Sequence, residues 1–132
     1  MYLFHPPVTD FPIALWMTSF LFDVLNWLRP RDLYRTIALW LIGLGLLAAP
    51  VAIATAFYDF ARLARDGVGT AFLSRHVVHS TLAYATTFVY LASFVLRWRA
   101  PDARTWIAVA ALAGPVLVVL TGYWGNQIRQ VM

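Results

Sequence analysis

Charged residues fall in clusters along this chain, and the apolar stretches between the clusters set its architecture. Thr36 to Tyr58 runs for 23 residues without a formal charge, His76 to Leu96 for 21 and Thr105 to Ile128 for 24. Phe11 to Leu28 adds 18 residues with a single charge, Asp23. A hydrocarbon core about 30 Å thick needs about 20 helical residues to cross it. The pattern therefore predicts four membrane spans, at about 11–28, 34–57, 73–96 and 104–126. The expected fold is all-α: one antiparallel four-transmembrane-helix bundle over residues 1–132, a polytopic membrane protein.

The ends of the spans carry stop and start signals. Asp10 is placed to cap helix 1, with Pro12 in its first turn, where a missing N–H is harmless. Pro30 ends that helix, and Pro101 lies in the turn before the fourth. Pro50 and Pro115 fall inside spans and are expected to kink them, which a membrane tolerates. Gly45…Ala49 and Ala110…Gly114 have a small-xxx-small spacing that lets backbones approach. Short connections make helices 1 and 2, and helices 3 and 4, antiparallel neighbours. A longer loop is expected at about 58–72, around Asp66-Gly67-Val68-Gly69. The first span lacks a basic n-region and is followed by Arg29-Pro30-Arg31, so it is not read as a signal peptide.

Composition narrows the function classes. Of 132 residues, 61% are apolar and 12% charged, about half the charge of an ordinary soluble domain. The absence of cysteine excludes disulfides, thiol catalysis, iron–sulfur clusters and c-type haem attachment. All ten basic residues are arginine and all six acidic ones aspartate. Their net charge of +4 does not point to nucleic acid, because arginines spread through so apolar a chain anchor membrane edges. Six arginines (29, 31, 35, 97, 99, 104) fall at the 1–2 and 3–4 loops, against four (62, 65, 75, 129) on the other face. The positive-inside rule then puts both termini outside, periplasmic in a bacterial inner membrane.

That topology collects His5, Asp10, Asp59, His76, His79, Asn126 and Gln127 at one membrane face. His76 and His79, three apart on a helix, differ by about 60° in azimuth, so one can face the bundle while the other faces headgroups. Neutral imidazole is a common ligand for haem iron and metal ions, and helix bundles hold cofactors between facing helices. The plain alternative is a set of interfacial histidines bonded to headgroups, backbone or a nearby aspartate. Asp23 lies inside a span, where a carboxylate costs about 2.5–3.5 kcal/mol on insertion scales and needs a partner. Arg35 and Arg97 end their helices on its side. No second acidic residue continues a relay at that depth, so a structural ion pair or a protonated carboxyl bonded to a neighbour is expected there. Asp59 either orients a histidine by accepting its second ring N–H or pairs with Arg62 or Arg75. No phosphate loop, nucleophile elbow or paired-carboxylate signature occurs.

The opening His5-Pro6-Pro7-Val8-Thr9-Asp10-Phe11-Pro12-Ile13-Ala14-Leu15-Trp16 resembles that of the bacterial membrane proteins grouped as domain-of-unknown-function family 2231. Asp23 and Ser19 match the family's later first-helix positions. Pro50 to Phe60 is similar to the end of the family's second helix, with Asp59 as its aspartate. His79, Tyr90, Ser93 and Arg97 are similar to its third helix, and Thr121-Gly122-Tyr123-Trp124-Gly125 to its closing motif. The chain departs from the pattern at Ala83, Asn126 and Gln127, where relatives often carry asparagine, glycine and histidine or glutamate.

The resemblance implies a four-helix integral membrane protein associated with membrane electron transfer. The expected function is a redox-linked subunit that holds b-type haem or a metal at the outer face. His79 is the principal candidate ligand, with His5 or His76 as the second; Asp59 and Asp10 support the site. Its partners would be the lipid bilayer, other membrane subunits or redox proteins, and quinone. The alternative is a cofactor-free accessory subunit of a larger membrane complex, not an enzyme by itself.

Overall fold

A computed structural model describes residues 4–131. These form four α-helices: α1 (His5–Leu28), α2 (Asp32–Asp66), α3 (Thr70–Arg99) and α4 (Arg104–Arg129). All four are long and apolar enough to cross a membrane. The order of packing is a ring, α1 on α2, α2 on α3, α3 on α4 and α4 on α1, closest within the hairpins α1/α2 and α3/α4.

Three boundaries differ from the sequence expectation. Helix α1 begins at His5, with Pro6 and Pro7 in its first turn, so Asp10 is an exposed residue inside the helix and not its cap. Pro12, expected in the first turn, is buried in the helix interior. The 58–72 loop is also mostly helix. Helix α2 continues to Asp66, and only Gly67-Val68-Gly69 separate it from α3. Gly67 makes the break: its φ of +83° is a conformation that side chains resist. At 35 residues α2 is about 52 Å long, well beyond the hydrocarbon thickness, so the α2/α3 turn stands clear of it.

The buried positions follow the helical period. On α2 they are Ala38, Ile42, Gly45, Ala49 and Ala52, alternating steps of four and three, and then Asp59 two turns further on. The opposite faces are just as apolar: Phe11, Leu28, Leu47 and Phe88 are each about 70% exposed. Water would disfavour such a surface, whereas lipid matches it. The core is held by a pair of aromatics on diagonal helices. Trp16 of α1 and Tyr90 of α3 stack with centroids 4.4 Å apart and planes within 9°. Gly45 and Gly114 make room for them: a Cβ at Gly45 would strike the Trp16 indole, and one at Gly114 would lie 2.7 Å from Tyr90. These glycines thus accommodate rings, where their spacing suggested close backbones.

At the end of the bundle nearer Leu28, Asp23 meets Arg97. The guanidinium donates to both carboxylate oxygens at 2.7 Å, and its Nε donates to Ser93 Oγ at 3.1 Å. Both charged side chains are 8% exposed. The expected partnership is present, with Arg97 chosen; Arg35 instead lies 3.8 Å from exposed Asp32. Arg97 therefore joins α1 to α3 and does not sit in the loop.

Candidate functional site

The hairpins leave a cavity of about 380 Å³ at the opposite end, within the range of small-molecule sites. It reaches from Asp10 and Arg129 at the rim down to Trp16, Thr86 and Val118. Small side chains create the space: Ala49, Ala52 and Ala56 on α2, Ala83 on α3, Gly122 and Gly125 on α4. Since these come at helical spacing, no local feature of the sequence marks them as a void.

All three histidines line this cavity. His5 comes from the first turn of α1 and His79 from α3, so one belongs to each hairpin. Their ring centroids are 6.2 Å apart and their planes near-perpendicular at 80°. His5 Nδ1 is 2.8 Å from the Ala52 carbonyl, and His79 Nδ1 is 2.9 Å from the Thr121 carbonyl. A carbonyl can only accept, so each Nδ1 carries the proton and each Nε2 keeps a lone pair. Histidines that ligate metals are held in the same way, by an outward N–H bonded to backbone or carboxylate. Gly125 permits the approach on α4, because a Cβ there would lie 3.1 Å from His79 Cε1.

His76 has different surroundings. Its ring stacks on Phe60 at 4.4 Å and lies parallel to Phe72 at 5.9 Å. Of the pair three residues apart, neither is turned wholly to the headgroups.

Asp59 is buried, at 4% exposure. Its Oδ2 accepts the backbone N–H of His5 at 2.8 Å, while Oδ1 is buried without a hydrogen-bond partner. The carboxylate thus serves a histidine, but through the main chain and not the ring. Arg75, one of its expected partners, donates instead to the Gln127 carbonyl at 2.6 Å. Arg62 lies over the Tyr58 ring at 5.6 Å. Asp10 remains at the rim and Asp23 about 27 Å away along α1, eighteen residues from His5.

The hydroxyls around the cavity spend their protons locally. Thr9, Ser80, Thr86, Thr87 and Thr121 each donate to a carbonyl of their own helix. The lining thus offers acceptors, among them the two histidines' Nε2 lone pairs and the hydroxyl oxygens, beside the donor groups of Tyr84, Asn126 and Arg129. Among the described residues, no three histidine, cysteine or acidic side chains converge as a metal-ion cage.

Sequence reasoning singled out His5, His79 and Asp59, which line one cavity, and missed the backbone groups that bond to the two rings. The Ala52 and Thr121 carbonyls leave no mark in a sequence. Gly125 was visible in the closing Gly122-Tyr123-Trp124-Gly125 run, but its purpose was not.

The fold and cavity define a polytopic four-helix membrane protein with a histidine-lined internal site. The chain belongs to the family described as predicted membrane protein (DUF2231), which it matches over residues 3–131. No curated protein and no solved structure matches it.

Proposed function

We propose that this protein is a redox-linked membrane subunit that holds one b-type haem between His5 and His79. The carrying observation is the pair of rings, one from each hairpin, 6.2 Å apart across an apolar cavity, each with Nδ1 at a carbonyl. A separation of this size would leave room for one metal centre between the two rings, at about 2.0–2.1 Å from a nitrogen of each. A metal ion caged by protein alone needs three or four side chains, and only two histidines meet here. Haem needs two protein ligands, since the porphyrin supplies the rest. The donor set therefore fits haem better than a free ion. His5 rather than His76 is the second ligand, because it stands 6.2 Å from His79 across the two hairpins while His76 packs on Phe60.

Bound haem supplies one-electron chemistry. The chain's own part is to fix two neutral imidazoles, exclude water with alanine and aromatic walls, and sit at a membrane face. With the termini outside, that face is the periplasmic one of a bacterial inner membrane. Electrons would then pass between the quinol pool and an outer-face redox protein, with further membrane subunits on the lipid-exposed helices.

The visible spectrum of the full-length chain, purified from haem-replete cells, tests this. A haem spectrum is expected, altered in His79→Ala and His5→Ala and retained in His76→Ala. A colourless wild type with no metal by mass spectrometry, or an unchanged spectrum in His79→Ala, overturns it. The second reading, a cofactor-free accessory subunit, is favoured by outward faces that are almost wholly apolar and by connections of a few residues. Co-purification of a colourless chain with a stable complex, and loss of that complex on deletion, supports that reading.

A further inference from the structure

Helix α1 starts in an unusual way. Of its three opening residues, Pro6 and Pro7 have no N–H, and Phe4 at the N-cap makes no side-chain cap bond. The His5 amide is thus the one donor among these three, and α1 offers it no acceptor. That acceptor comes from another helix: Asp59 Oδ2, at 2.8 Å. The second hold on His5 is the Ala52 carbonyl, at 2.8 Å from its ring Nδ1. Both acceptors belong to α2 and are seven residues, two turns, apart. Side chains on a helix lean toward its N-terminus, so the Asp59 carboxylate reaches back toward the level of Ala52. One face of α2 therefore grips His5 by main chain and ring together. Two bonds from a rigid helix, added to the fixed φ of two prolines, leave the imidazole little freedom.

We propose that Asp59 is the positioning residue of the site: it replaces the missing cap of α1 across the helix interface and so sets His5 opposite His79. The inference rests on the haem reading above, in which His5 is a ligand. It assigns Asp59 a task by hydrogen-bond acceptance at the His5 amide, which an amide oxygen can also perform. A purely space-filling role predicts no such distinction. The carboxylate's location at a helix N-terminus adds a favourable field, since the dipole there is positive. Burying a carboxylate, here at 4% exposure, is costly for a group with no task, and the bond from the His5 amide gives it one.

The test compares Asp59→Asn, which keeps an acceptor oxygen, with Asp59→Ala, which does not. The probe is ferric haem titrated into the full chain in nanodiscs, read by absorbance and electron paramagnetic resonance. Wild type and Asp59→Asn are expected to give the same six-coordinate low-spin signature. Asp59→Ala should take on the five-coordinate high-spin signature of His5→Ala, with haem affinity about 10–100-fold lower, as for other outer partners of metal ligands. A wild-type signature and affinity in Asp59→Ala overturns the proposal, as does Asp59→Asn behaving like Asp59→Ala. Amide hydrogen exchange without haem separates this from the reading it rests on. The His5 amide should be protected in wild type and Asp59→Asn and exchange at least tenfold faster in Asp59→Ala. Amides around Asp23 and Arg97, measured in the same sample, report that the fold persists. Equal exchange at His5 in all three proteins overturns the proposal, whatever haem does; a chain that binds no haem but shows the expected exchange overturns only the haem reading.

Discussion

Removing Arg97 should leave the largest mark on stability of any single charge change. In Arg97→Leu the Asp23 carboxylate stays at 8% exposure with its two guanidinium bonds gone. Ser93 also loses its donor. Breaking a buried pair from one side costs about 3–5 kcal/mol, because the remaining charge must stay desolvated or neutralise. At about 1.4 kcal/mol per decade, that lowers the folding equilibrium more than a hundredfold. Asp23→Leu should cost a similar amount, leaving a buried guanidinium. The double variant Asp23→Leu/Arg97→Leu should recover most of the loss, since apolar replacement of a whole buried pair is often neutral or stabilising. Reversible unfolding in mixed detergent micelles, run as a double-mutant cycle, measures all three. A single variant within 1 kcal/mol of wild type would refute the reasoning, as would a double variant no more stable than either single one.

Three further outcomes follow from the glycines. Gly45→Leu should destabilise by about 1–3 kcal/mol in the same assay, because the new side chain meets the Trp16 indole; Trp16→Leu in the same chain should restore part of the loss. Gly67→Ala should cost about 1–2 kcal/mol through its φ of +83°, while Gly69→Ala, at a φ of −73° and in open space, should stay within about 0.5 kcal/mol of wild type. Gly125→Val should push His79 off the Thr121 carbonyl and, on the haem reading, weaken haem absorbance while unfolding stays close to wild type; an unchanged spectrum in a haem-binding chain would show that the close approach is not needed.

Charge spacing alone determined the four spans, their antiparallel order and the gathering of His5, His76, His79, Asp10 and Asp59 at one end. A membrane makes these legible, since each span must be apolar for about 20 residues and each crossing reverses direction. Asp23's need for a partner was legible for the same reason. Helix limits were harder to read. Residues 58–66 look like a loop because they are charged, yet they continue α2 beyond the hydrocarbon, where charge is no obstacle. Asp10 looks like a cap until Pro6 and Pro7 start the helix earlier.

The site itself was decided by tertiary structure. Sequence periodicity places side chains on a face but says nothing of which backbone carbonyl will lie opposite. Ala52 and Thr121 fix the two ring tautomers, and they do so only because α1 lies along α2 and α4 lies along α3. The meeting of His5 with His79, 6.2 Å between rings from separate hairpins, is a tertiary distance that spacing in the sequence cannot reveal. The exchange of roles at Asp59, from an expected ring acceptor to a main-chain anchor, has the same physical origin. A carboxylate takes whichever donor the packing leaves without a partner, and here the two prolines left the amide of His5.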